Sequence, residues 1–330
     1  MQERRAGKAG PRKAPLGSPE RPELARSLSA QERETSFDND KPKRSKPLAG
    51  PIVRAPRALW RVEGFAQGDR ALPEETAIAF TYNTASYAVM MATPQDLEDF
   101  AIGFSLTEGV ISSPEEIESV DIVEEDIGIE LRIWLKAPHA AEFLGRRRKM
   151  AGPTGCGLCG IESLAEAMRP PPKVEDGRVF SPDQIMTAIN SLFPLQVLNQ
   201  ETRAVHAAGF WHPARGLVAL REDVGRHNAL DKLAGALTRE DANAEQGIVL
   251  LTSRVSVEMV QKSAAIGAPI IVAVSAPTAL ALRMAEACGM TLVAIARKDG
   301  FEIFTHPHRV TGAHAGRAPE AVKKVTAGTP

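Results

Sequence analysis

Gly247-Ile248-Val249-Leu250-Leu251-Thr252, Pro269-Ile270-Ile271-Val272-Ala273-Val274-Ser275 and Thr291-Leu292-Val293-Ala294-Ile295-Ala296 are three short apolar runs separated by two stretches of helical pattern, residues 257–266 and 277–288. Runs of this length and composition suit strands buried on both faces. Strand, helix, strand, helix, strand at this spacing implies parallel strands joined by crossover helices, hence a layered α/β domain. Upstream, Ser181-Pro182-Asp183 offers a cap for a helix to about residue 193, and a further helix is expected over 228–237.

The region before this domain reads differently. Residues 76–82 and 86–91 pattern as paired strands around Asn83-Thr84-Ala85, and 117–123 and 128–135 as two more. Thr93-Pro94-Gln95-Asp96 supplies a cap residue followed by Pro, opening a helix through Phe100, Phe104 and Leu106. An antiparallel unit with one helix is expected, its folded structure beginning near Leu59-Trp60-Arg61-Val62. Residues 1–55 carry 13 Lys and Arg against 7 Asp and Glu, with no hydrophobic period, and read as a disordered basic tail. The expected organisation is therefore a tail over 1–55, a small α+β subdomain over 56–150, a mobile cysteine loop over 151–161, an α/β domain over 162–312 and a flexible tail over 313–330.

Composition narrows the class. The chain has 330 residues, 43% hydrophobic and 25% charged, with a net charge of -1, which gives no reason to invoke nucleic acid. Its apolar runs are strand-sized, far below the roughly 20 residues of a membrane span. Three cysteines and an amino terminus without an apolar signal core point to a reducing cytoplasm rather than to a disulfide framework.

Two of those cysteines stand in Thr154-Gly155-Cys156-Gly157-Leu158-Cys159-Gly160. Glycines on both sides favour a segment that moves. A thioredoxin-like use requires a strong strand directly before the first Cys, and none is evident. A structural zinc site needs four ligands, and the only other thiol, Cys288, lies in a helical pattern as a small hydrophobe. A deaminase zinc site needs His-x-Glu, which none of the seven His residues provides. The remaining use is sulfur carriage, in which a thiolate accepts sulfur from a persulfide and presents it elsewhere. Arg146-Arg147-Arg148-Lys149 would favour that thiolate, a solvated basic face being the other reading of the run.

Together with the Cys156 to Gly160 motif, Glu222-Asp223-Val224-Gly225-Arg226-His227-Asn228-Ala229-Leu230-Asp231-Lys232 and Ser253-Arg254-Val255-Ser256-Val257-Glu258-Met259-Val260-Gln261-Lys262 closely resemble the FdhD family of formate dehydrogenase accessory sulfurtransferases. Thr107-Glu108-Gly109-Val110-Ile111, Ser275-Ala276-Pro277-Thr278 and Thr305-His306-Pro307 support the match, which runs from about residue 58 to 312. The resemblance implies a cytidine deaminase-like fold for the main domain, a homodimer, and a sulfur carrier. Such a carrier takes sulfur from a cysteine desulfurase and delivers it to the molybdenum cofactor, bis-molybdopterin guanine dinucleotide, held as a bound substrate for the formate dehydrogenase catalytic subunit. It further implies Cys156 as the persulfide position and Cys159 as an assisting thiol, with no structural metal. Alternatives that remain open are a thiol-disulfide oxidoreductase using both cysteines and a non-catalytic cofactor-binding chaperone.

The cofactor segment of the family corresponds here to Ile295-Ala296-Arg297-Lys298-Asp299-Gly300. Arg297 and Lys298 at a strand end could meet phosphate as fork and point charge, a plain surface turn being the other reading. Arg254 and Ser275 stand between strands and helices, where backbone N–H groups favour anions. Arg226 and His227 sit at a helix entrance, where a cation opposes the dipole and a ligand or carboxylate would explain it. His206 could serve similarly, but Arg203 stands where the family has Gly, which puts the local backbone shape in question.

Overall fold

The computed structural model describes residues 50–137, 168–240 and 242–313. Of the tail read over 1–55, residues 1–49 lie outside the described residues, as do the cysteine loop with Cys156 and Cys159 and residues 314–330 of the carboxyl-terminal tail; residues 52–55 already belong to a strand.

Three sheets are present among the described residues. Strands β1 (Ile52–Arg61) and β2 (Gly64–Pro73) pair, among the described residues, only with each other. Strands β3 (Thr76–Tyr82), β4 (Ala85–Ala92), β5 (Ile117–Glu125) and β6 (Gly128–Leu135) form a sheet ordered β4-β3-β6-β5. The third sheet contains β7 (His206–His212), β8 (Gly216–Asp223), β9 (Ile248–Leu251), β10 (Ile270–Ala273), β11 (Thr291–Arg297) and β12 (Gly300–Thr305), in the order β12-β11-β10-β9-β7-β8.

The four-stranded sheet departs from the antiparallel expectation at its centre. Pairs β3/β4 and β5/β6 are antiparallel, but β3 runs parallel to β6, because β4, a helix and β5 intervene before the chain returns. That helix, α1 (Leu97–Thr107), lies on one face. Phe80, Phe100 and Phe104 meet there, with Phe80 stacked on Phe104 at 4.1 Å. Burying each ring stabilises the unit by about 1.5–3 kcal/mol.

Thr93 does not cap α1. The residue before the helix is Asp96, in the left-handed conformation and without a side-chain capping bond. Thr93 is fully buried and bonded elsewhere: its N–H donates to Asp223 at 3.0 Å and its hydroxyl accepts from the Val224 N–H at 3.2 Å. Tertiary partners outcompete local capping at this position.

In the six-stranded sheet β9, β10 and β11 are parallel as expected, while β7 and β12 run antiparallel to their neighbours. Alternation along β9 and β10 is strict. Val249, Leu251, Ile271 and Ala273 join α4 (Arg226–Arg239), α5 (Val257–Ala265) and α6 (Ala279–Cys288) in one core. Ile248, Leu250, Ile270 and Val272 face the opposite way, into a core with α2 (Pro182–Leu192). Helices thus cover both faces of the sheet. The α2 cap is a reciprocal box between Ser181 and Gln184.

Helix α1 crosses α4 at glycine contacts. A Cβ on Gly103 would overlap the Asp231 carbonyl, and one on Gly235 would overlap the Asp99 backbone. Close approach at this crossing fastens the small sheet to the large one. Cys288 is buried in the helix-side core with its thiol 3.5 Å from the Ala285 carbonyl, and burial raises its pKa.

Candidate functional site

The parallel strands end together, and hydrogen bonds draw their loops side by side. The Val274 N–H reaches the Leu251 carbonyl at 2.9 Å, Val255 N–H the Ala276 carbonyl at 3.3 Å, and Ile295 N–H the Ser275 carbonyl at 3.3 Å. Because β7 is antiparallel to β9, its first residue lies at the same edge, where Ala207 N–H donates to the Thr252 hydroxyl at 2.8 Å. His206 pairs with Asp223 at the end of β8, and α4 opens three residues later at Arg226. The fold therefore gathers His206, Arg226, His227, Arg254, Ser275 and Ile295 on one sheet edge. The amino termini of α4, α5 and α6 open at that edge too, adding partial positive charge.

Electrostatics at the edge favour an anion. Arg226 is half-buried, and its Nε is buried with no hydrogen-bond partner among the described residues. Burial, with Arg226 and Arg254 adding cationic repulsion, lowers the His206 pKa. Burial also lowers that of His227 to about 4, with Arg226 and Lys262 contributing. His227 is consequently neutral near pH 7, and its Nε2 lies 3.8 Å from Glu258 without a hydrogen bond. Burial raises the Glu258 carboxyl, but the Ser256 hydroxyl, its own backbone N–H and the neighbouring His227 and Arg226 bring it net below the usual range.

Beneath this edge lies a buried polar framework that sequence reasoning does not resolve. Asp223 accepts from the backbone of Thr93 and Gly225, from the Asn228 amide and, at 2.6 Å, from Lys232. Lys232 also donates to the Thr93 carbonyl at 2.8 Å. Beside it, Lys262 on α5 donates to Glu108 at 2.6 Å and to Asp231 at 2.9 Å, while the Thr107 hydroxyl donates to Asp231. Burial lifts the Asp231 carboxyl to about 6 despite Lys262, and Asp231 and Glu108 together hold Lys262 protonated against its own burial. Glu222 receives the Leu198 and Asn199 N–H groups at the start of α3 (Val197–Thr202), and burial raises its pKa. Much of the Glu222 to Lys232 motif is thus framework, with Arg226 and His227 its outward members.

The 295–300 segment is divided. Ile295 has φ 55°, an uncommon value for a β-branched residue, and sits at a register shift between β11 and β12. The bulge turns Ile295 to the helix-side core with Leu292 and Ala294, while Ala296 faces α2. Arg297, Lys298 and Asp299 are exposed at the hairpin turn leading to Gly300. With Asn190, Phe193, Val274 and Ala296, Arg297 and Lys298 line a separate depression of about 300 Å³. Only the beginning of the segment therefore joins the edge occupied by Arg226 and Arg254.

Cys156 and Cys159 lie outside the described residues, but the flanking chain is anchored. On one side Leu135 N–H donates to the Asn83 side chain at 2.8 Å and Lys136 N–H to the Glu116 carbonyl at 2.9 Å. On the other, Gln261 on α5 donates to the Arg169 carbonyl at 2.8 Å, and Arg169 is among the cations that lower the Glu108 pKa against burial.

The model of the FdhD/NarQ family matches residues 73–311. The sulfur carrier protein FdhD of Agrobacterium fabrum is 51% identical over 258 residues, covering 78% of this chain and 95% of that protein. The protein of the same name from Brucella abortus is 54% identical over 251 residues, covering 76% and 93%. A crystal structure described as a formate dehydrogenase accessory protein from Desulfotalea psychrophila superposes with a TM-score of 0.63 at 28% identity, over 78% of this chain and 99% of that one. The family match spans α1, the buried lysine framework and the whole cationic sheet edge, and the relatives are covered almost end to end: this chain belongs to the FdhD/NarQ family.

Proposed function

We propose that this protein is a cytoplasmic sulfur carrier acting in formate dehydrogenase maturation, as a homodimer whose main domain has cytidine deaminase-like layering. The Cys156 thiolate attacks the outer sulfur of a cysteine desulfurase persulfide, forming a new S–S bond while the desulfurase thiolate leaves. Sulfur then passes to bis-molybdopterin guanine dinucleotide, whose phosphates the edge formed by Arg226, Arg254 and Ser275 suits in charge. Attack of Cys159 on the inner sulfur of the Cys156 persulfide releases the outer atom as hydrosulfide and leaves a Cys156–Cys159 disulfide, which balances the two electrons. A thiol reductant then resets the pair.

The observation that carries this reading is the 51% identity to a sulfur carrier across 95% of its length. Intact mass spectrometry after incubation with a cysteine desulfurase and cysteine tests it. A gain of about 32 Da that dithiothreitol removes and Cys156→Ala abolishes is the expected result. Because the carrier's own cycle also ends in a Cys156–Cys159 disulfide, the control is Cys159→Ser, in which the gain is expected to persist; no gain in that variant, with a loss of about 2 Da in the wild-type protein, would favour the oxidoreductase instead. In cells, Cys156→Ala is expected to abolish formate dehydrogenase activity with the carrier still folded; normal activity in that background would sink the proposal.

A further inference from the structure

Glu258 is an acid in a cationic place. It stands in the first turn of α5, at the sheet edge that also carries Arg226 and Arg254, and its side chain is 49% exposed. Burial raises its carboxyl, but the Ser256 hydroxyl, its own backbone N–H, His227 and Arg226 bring it net below the usual range, so it is ionised near pH 7. Its one contact of ion-pair kind is with His227 at 3.8 Å, and burial keeps that imidazole neutral. Among the described residues Glu258 therefore pairs with no Lys or Arg, and Arg226 with no carboxylate.

The acids around it are employed differently. Asp223 is bonded to Lys232, Asp231 and Glu108 to Lys262, and Glu222 accepts from the backbone of Leu198 and Asn199. Those carboxylates hold the framework together. A carboxylate offers about four lone-pair positions, and at Glu258 most of them are open to a ligand. The helix dipole accounts for an acid at an isolated helix start, but here bound phosphate would meet the same dipole, and the two negative groups would repel each other. An acid in such a site is explained by a ligand that brings hydrogen-bond donors as well as phosphates.

We propose that Glu258 is a specificity residue that reads the 2-aminopyrimidinone edge of the bound cofactor. The inference rests on the cofactor reading above and names the group recognised. Guanine and the pterin ring share this edge, in which an exocyclic amino group, a ring N–H and a carbonyl oxygen stand in a row. The two donors meet the two oxygens of one carboxylate in parallel, as an arginine fork does. The carbonyl accepts from a neighbouring cation, a part that the Arg226 guanidinium fits. Carboxylate and arginine together offer acceptor, acceptor and donor, the complement of that edge. Phosphate alone engages only the arginine.

Isothermal titration of the full chain tests the proposal with two ligand pairs that differ at the 2-position: GDP against inosine diphosphate, and 6-hydroxymethylpterin against 6-hydroxymethyllumazine. Wild-type protein is expected to bind the amino member of at least one pair about tenfold more tightly or better. Discrimination within the nucleotide pair assigns guanine to Glu258, and discrimination within the pterin pair assigns the pterin. Glu258→Gln is expected to abolish the preference and Glu258→Asp to keep part of it, both with unchanged circular dichroism. In Glu258→Gln, pyrophosphate is still expected to raise the midpoint of the His227 imidazole titration, which separates reading of the ring from binding of phosphate. No preference in wild-type protein, or a preference that survives Glu258→Gln, would overturn the inference and leave the cofactor reading standing. Wild-type protein that binds none of the four ligands would overturn both.

Discussion

Lys232 and Asp223 meet at 2.6 Å with neither side chain exposed to solvent, and both also bind the backbone of Thr93 across the junction between the two main sheets. Removing one partner leaves the other charge buried, which costs about 3–5 kcal/mol, whereas replacing both with neutral groups of similar volume is often tolerated. Lys232→Met is therefore expected to lower the urea midpoint sharply, and Asp223→Asn combined with Lys232→Met to recover at least half of the loss. A single variant with unchanged midpoint would show that the pair carries no such weight.

Arg203 ends α3 with φ 58° and ψ 29°, the left-handed conformation that a side chain disfavours. The substitution noted from sequence thus falls where the backbone has the geometry of glycine, and the arginine holds it at a cost. Arg203→Gly is expected to stabilise the protein by about 0.5–1 kcal/mol, read as a higher denaturant midpoint with unchanged slope.

The legibility of the fold follows burial. Strands β9 and β10 are apolar throughout, and β11 is apolar between Thr291 and Arg297, so their position and parallel pairing can be read directly. Strand β7 contains Ala207, Ala208 and Gly209, small residues of weak strand preference, and β8 ends in Arg221, Glu222 and Asp223, so neither gives a strand pattern. The β1–β2 hairpin begins at Ile52, before the expected start of folded structure, because an arm with almost no buried face shows no alternation. At the candidate site, Arg226 and His227 are legible as cations at a helix entrance. Lys232 and Lys262 are not, since a lysine in a helix reads as surface until its buried carboxylate partners are placed.

Gly103 and Gly235 set the distance between α1 and α4. A Cβ at either would press on backbone of the facing helix, which cannot swing aside as a side chain could. Gly103→Ala is expected to separate the helices, disturb the adjacent Asp231–Lys262 contact and cost at least about 3 kcal/mol, although alanine is the better helix former. Thermal unfolding checks the sign. A raised midpoint would mean that helix propensity outweighs the contact and that the crossing yields easily.

His227 gives the cationic edge a pH signature. Its pKa falls from 6.5 to about 4, chiefly through burial and then through Arg226 and Lys262, so the folded protein holds it neutral where the unfolded chain binds a proton. The unfolded state takes up more protons between these values. The contribution is therefore fully present above pH 6.5 and is lost as pH falls toward 4. With the side chain 30% exposed, solvent screening reduces the effect to about 1–2 kcal/mol. His227→Gln is expected to flatten that part of the stability profile in urea titrations at successive pH values. An anion seated beside Arg226 would offset its repulsion and raise the His227 pKa. Pyrophosphate added during an imidazole NMR titration is accordingly expected to move the midpoint upward in wild-type protein and much less in Arg226→Gln. An unmoved midpoint at saturating pyrophosphate would place anion binding away from this edge.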